Sequence, residues 1–114
     1  MNIEVTVIAY LADVFPEIPV YAERPMTPPP TYLLVDKTGA ELVNFINQST
    51  VIVESIAPSK YDASLLNNSV KAAMMAIADD DKEISMCSLE SDYDDTDTAL
   101  KDYRYTAVFN ISHY

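Results

Sequence analysis

Four carboxylates crowd into Asp92-Tyr93-Asp94-Asp95-Thr96-Asp97, the composition of a calcium-binding loop. An EF-hand loop needs glycine at its sixth position and a bidentate glutamate at its twelfth. Counted from Asp92, those positions hold Asp97 and Tyr103, so the pattern fails. Paired carboxylates do acid–base work only in a cleft that separates their pKa values. Adjacent acids on a turn are hydrated instead, and the expectation here is a solvated hairpin end or a partner-facing acidic patch.

The other reactive residues are few. Ser112 and His113 are neighbours on a predicted strand, where successive side chains point to opposite faces, so they cannot act as nucleophile and base. Cys87 has no basic neighbour in sequence to stabilise a thiolate and is expected to be a buried, inert thiol. With one Cys and one His the chain can build neither an internal disulfide nor a Cys/His zinc site. A single glycine, Gly39, cannot supply a phosphate-cradling loop. Pro25-x-x-Pro28 is a minimal polyproline ligand spacing, better explained as a rigid loop. No catalytic residue, metal ligand or cofactor is expected, and the chain reads as a non-enzyme.

Eighteen acidic residues against seven basic ones give a net charge of −11 over 114 residues. Residues 79–102 hold ten of the acids and two lysines, so most of the imbalance lies there. Such a surface repels nucleic acid and anionic membranes, and attracts partners with basic faces. No apolar run approaches the ~20 residues that span a bilayer. No Lys or Arg precedes the first apolar stretch, which argues against a signal peptide. The expectation is a protein made in the cytoplasm, folded as one domain over residues 1–114.

The elements that must position these residues follow from periodicity. Ile3, Val7, Ile8, Leu11, Val14 and Phe15 form a helical stripe, although Val5–Ile8 would equally suit a strand. Pro16 and Pro19 end it. Ile18–Ala22 reads as an edge strand or extended arm, and Glu23–Pro30 as a stiff exposed loop. Tyr32–Asp36 is a strand, with Lys37-Thr38-Gly39 as its turn and Gly39 supplying a positive φ. Thr50–Ala57 is a strand with two apolar faces, hence central.

Ser59 is the expected N-cap of the clearest helix, whose buried stripe is Leu66, Val70, Ala73, Met74 and Ile77. Asn67, Asn68 and Lys71 fall on its wet side, Met74 and Met75 pack in the core, and it stops near Asp79. Ile84–Glu90 and Lys101–His113 are strands of an antiparallel hairpin, joined by the polar Asp92–Thr98 connection. The order α-β-β-β-α-β-β predicts an α+β fold: an antiparallel or mixed sheet of four to five strands, with two helices packed on one face.

Eight tyrosines and no tryptophan suit half-buried interface positions as much as a thin core. The segments Val20-Tyr21-Ala22-Glu23-Arg24-Pro25 and Tyr32-Leu33-Leu34-Val35-Asp36-Lys37-Thr38-Gly39 resemble the start of a family of small siphophage tail proteins. So do Ser55-Ile56-Ala57-Pro58-Ser59, Ser91–Thr98 and Tyr103–Ile111. These are the tail-terminator, or tail-completion, proteins of phages and prophages of low-GC Gram-positive bacteria. The chain departs from them in its apolar, β-branched amino terminus.

The resemblance implies a non-enzymatic virion tail component. It implies a ring, usually of six subunits, that caps the tail tube, ends its polymerisation and offers a head-joining surface. The implied partners are other copies of the chain, the major tail-tube protein and a head–tail connector protein. DNA passes through the channel without sequence-specific binding. Ring closure needs a heterologous contact, supplied by sheet-edge pairing or loop insertion. The candidate interface residues are Arg24, Pro25, Met26 and Pro28 in the arm, and Asp92, Asp94, Asp95 and Asp97 in the acidic hairpin. A head–tail connector or stopper role is the alternative within this class, and an acidic DNA-mimic inhibitor the alternative outside it.

Overall fold

Helix α1 spans Ile3–Val14 and starts where Asn2 Oδ1 accepts a hydrogen bond from the Val5 N–H at 3.2 Å. The helical spacing prevails over the β-branched residues because Ile3, Val7 and Leu11 bury completely on one side. The Phe15 N–H closes the last turn on the Leu11 carbonyl, and Pro16 prevents continuation. The computed structural model describes residues 2–43 and 46–114.

Among the described residues, five strands follow the expected α-β-β-β-α-β-β order, with one extra short helix. Strand β1 is only Val20–Tyr21, β2 is Tyr32–Val43 and β3 is Ile46–Ala57. Strand β4 is Ile84–Asp94 and β5 is Tyr103–His113. The spatial order is β1-β2-β3-β5-β4, with β1 parallel to β2 and every other pair antiparallel. The chain is therefore α+β with a mixed sheet, and β3 is central as its two apolar faces predict.

Between β3 and β4 lie α2, Lys60–Met75, and a single turn of helix, α3, Ile77–Asp80. Ser59 caps α2 by accepting from the Asp62 N–H at 3.1 Å. The core is formed by Leu33 and Val35 of β2, Val51 and Val53 of β3, and Ala107, Phe109 and Ile111 of β5. Ile3, Val7 and Leu11 of α1 and Leu66, Val70 and Met74 of α2 close it from one side. Burying an aliphatic or aromatic side chain of this kind contributes about 1.5–3 kcal/mol, so this layer holds the sheet to the helices.

Several sequence expectations are corrected. Gly39 is not in a turn and has no positive φ. It lies inside β2 beside a register shift between Lys37 and Gly39, a bulge that lets the strand run on to Val43. Strand β3 accordingly begins at Ile46 rather than Thr50. Asn67 is buried, because β4 reaches across to it, and Met75 is exposed while Met74 is not. The second helix ends at Met75, and Ala76 separates it from α3. Strand β4 extends to Asp94, so Asp92 and Asp94 belong to the sheet and not to a loop.

Candidate functional site

The acidic segment divides into two parts with different roles. Asp92 and Asp94 alternate along β4 onto the helix side. There Asp92 Oδ2 accepts from Lys71 Nζ at 2.7 Å and from Asn67 Nδ2 at 3.1 Å. Asp94 Oδ2 lies 3.0 Å from Lys60 Nζ, and its Oδ1 accepts from the Thr96 N–H at 3.0 Å. The hydrogen bond from Lys71 is the main cause holding Asp92 below the usual carboxylate range. Hydrogen bonding to Thr96, then to Lys60, does the same for Asp94. These two acids fasten β4 to α2, and neither is a free ligand.

Asp95 and Asp97 belong to the loop between β4 and β5. The Asp95 N–H donates to the Arg104 carbonyl, and Asp97 pairs with Asp102 as an isolated bridge. Asp97 Oδ1 accepts from the Ala99 and Leu100 N–H groups at 3.1 and 3.2 Å, the local bonding that makes aspartate a turn residue. Lys101, at φ 54°, takes the left-handed position that closes the turn. Among the described residues, no group of three or more His, Cys, Asp or Glu side chains converges to hold a metal ion.

The proline arm lies at the same end of the sheet. It leaves β1 at Tyr21, opposite Leu34, and returns at Tyr32, which pairs with Ile56 and through it with Arg104. Tyr21 packs edge-on against Tyr32, with ring centroids 5.9 Å apart. Arg24 and Ala22 border a shallow cavity of about 260 Å³ with Leu34, Asp36, Ile52 and Glu54, on the sheet face opposite the helices. Met26 stands free of all packing, and Pro25 and Pro28 are half-buried.

Two residues between the arm and the acidic loop were missed as site residues. Arg104 Nη1 contacts Glu54 Oε2 at 3.3 Å, and Arg104 Nη2 donates to Asp102 Oδ2. Burial raises the Glu54 pKa, and the Arg104 charge only partly opposes it. Burial alone would lower the Arg104 pKa, but Asp102 and Glu54 outweigh it and hold it raised. The sequence signal was available: Glu54 is the one charge in the otherwise apolar or small run Val51–Ala57.

His113 and Ser112 do point apart. The imidazole instead meets Ser49 across the sheet, with Oγ and Nε2 2.8 Å apart and both side chains buried. The other ring nitrogen faces the Tyr114 carbonyl at 3.4 Å, so no carboxylate orients the ring for catalysis. The Cys87 thiol is half-buried, and desolvation pushes its pKa up to about 11.

The sheet edges bear on how copies of the chain could join. Beyond β1, the edge amide of Lys37 donates to Glu4 Oε2 of α1 at 3.2 Å, and the bulge follows at once. At the other edge β4 carries two register shifts, between Ile84 and Met86 and between Leu89 and Ser91, and exposes Glu90. Bulges, charges and side-chain caps are what natural sheets use to prevent strand addition.

No helix among the described residues is long and apolar enough to cross a membrane. No protein-family model matches the chain, and no curated protein does.

Proposed function

We propose that this chain is a phage tail-completion protein: a structural ring component that caps the tail tube, stops its growth and presents the surface to which the head joins. The observation that carries this reading is the placement of the proline arm and the Asp95–Asp97 loop at one end of the sheet. The resemblance to tail terminators runs through the Asp95–Asp97 loop and into the arm as far as Pro25. Brought together, they make one contact surface out of two distant stretches of sequence.

The ring contact then falls to loops and not to strand addition, because both sheet edges are blunted. The arm, stiffened by Pro25, Pro28, Pro29 and Pro30, projects Met26 into solvent as an apolar anchor. It reaches a neighbouring subunit at little entropic cost, since proline has already restricted it. The acidic loop supplies the opposite character, a hydrated surface that DNA does not adhere to or that a basic connector face recognises.

A DNA-mimic inhibitor needs carboxylates spread free over a long surface, whereas Asp92, Asp94 and Asp102 are consumed in internal ion pairs. The test is to mix purified protein with assembled tail tubes and image the tube ends. Wild-type protein should form a ring on one end, and Met26→Asp should not. Rings of undiminished occupancy with Met26→Asp refute the arm contact, and no wild-type binding to tubes refutes the capping role.

A further inference from the structure

Helix α2 carries two stripes. One is buried against the sheet: Ala63, Leu66, Asn67, Val70 and Met74. The other, Tyr61, Leu65, Asn68, Ala72 and Met75, repeats at spacings of four, three, four and three. At ~100° per residue these five positions point directly away from the core. All are exposed, Tyr61 at 71% and Leu65 and Met75 at 47% each. A four-three repeat of this kind is the seam of a helix pair.

The charge distribution names the occupant. Residues 55–78 hold one acid, Asp62, in a chain of net charge −11. Lys60 and Lys71, the bases of that stretch, are turned down onto Asp94 and Asp92. The outer face of α2 therefore bears a single carboxylate, Asp62, which lies beside the stripe and not in it, so two like-charged copies can meet there without burying carboxylates. We propose that two copies pair their α2 helices antiparallel, about a two-fold axis passing by Asn68.

The side chains fit that arrangement. The seam is nearly symmetric about Asn68, with Tyr61 and Met75 seven residues to either side, Leu65 three before it and Ala72 four after it; Asn68 then faces Asn68 of the second copy, and the two amides can hydrogen-bond. Leu65 then covers the small Ala72, and the Tyr61 ring lies on the Met75 thioether, a favourable sulfur–aromatic contact. A central asparagine in an apolar seam fixes register and orientation at some cost in strength. Two helices of 16 residues are about 24 Å long. They bury less than the ~1,200 Å² of a stable interface, so the dimer is transient, with a dissociation constant on the order of 10–100 µM. The pairing does not depend on the tail assignment.

Sedimentation equilibrium of the free protein up to ~0.5 mM, with a salt series, tests it. Dimerisation that tightens with salt is expected, because screening removes the repulsion between like-charged copies. Leu65→Glu should weaken it at least tenfold without altering the far-ultraviolet circular dichroism. In a Cys87→Ser background, Asn68→Cys should cross-link to itself under mild oxidant. Leu65→Cys should not, but should cross-link when mixed with Ala72→Cys. A monomer at the highest concentration, an unchanged constant in Leu65→Glu, or a Leu65→Cys self-cross-link would each overturn the proposal.

Discussion

Glu54 and Arg104 form an ion pair whose two halves should respond very differently to removal. Both are partly buried, with side-chain exposures of 24% and 18%. Burial outweighs the arginine in setting the Glu54 pKa, so the charged carboxylate is worse off folded than unfolded. Glu54→Gln therefore removes an unfavourable charge along with a favourable contact and should change stability by less than about 0.5 kcal/mol at pH 7. Arg104→Met leaves Glu54 and Asp102 without their shared cation. Breaking a fully buried pair costs ~3–5 kcal/mol and an exposed one ~0–1, so this partly buried pair should cost about 2 kcal/mol.

At ~4–6 °C per kcal/mol for a chain of this length, Arg104→Met should melt about 10 °C lower and Glu54→Gln within about 3 °C of wild type. The double variant should recover part of the Arg104→Met loss. Differential scanning calorimetry of the four proteins gives the comparison. The pH dependence has a definite sign. A raised folded-state pKa favours the folded protein below it, so wild type should gain on Glu54→Gln as pH falls through that pKa towards the unfolded value near 4.5. Asp92 and Asp94, held low, act in the opposite sense: their contribution is lost as pH falls below about 3.8, equally in both proteins. A Glu54→Gln loss at pH 7 as large as that of Arg104→Met would refute the reasoning.

Other residues give independent checks. Asn67→Ala removes a buried donor to Asp92 and should cost about 1–2 kcal/mol by urea denaturation, whereas Asn68→Ala on the exposed side should stay within ~0.5. Gly39→Ala should be tolerated or stabilise by about 0.4–1 kcal/mol, since an added Cβ meets nothing within 4 Å and φ is not positive. With its pKa near 11, Cys87 should react with a chromogenic disulfide reagent at pH 8 at least tenfold more slowly in the folded protein than in urea.

Most of the architecture was legible because local signals agree. The Ile3–Phe15 stripe, apart from Val14, which is exposed, the Ser59 cap and the alternation in Val51–Ala57 each matched the structure, as did the α+β order. What failed were features set by partners far along the chain. Asn67 is wet on a helical wheel, but its amide meets Asp92, twenty-five residues away. Gly39 reads as a turn by composition, yet a bulge carries the pairing past it. Asp92 and Asp94 looked like free carboxylates until the sheet placed Lys71 and Lys60 beside them. The clustering of the arm and the acidic loop at one end of the sheet is a property of topology, which periodicity alone does not encode.

The central claim, a role in finishing the phage tail, is tested most directly by deleting the gene from the phage or prophage that carries it and imaging the induced lysate by electron microscopy. The capping role predicts full heads beside separate, overlong tubes. Intact infectious particles with tails of normal length would contradict it.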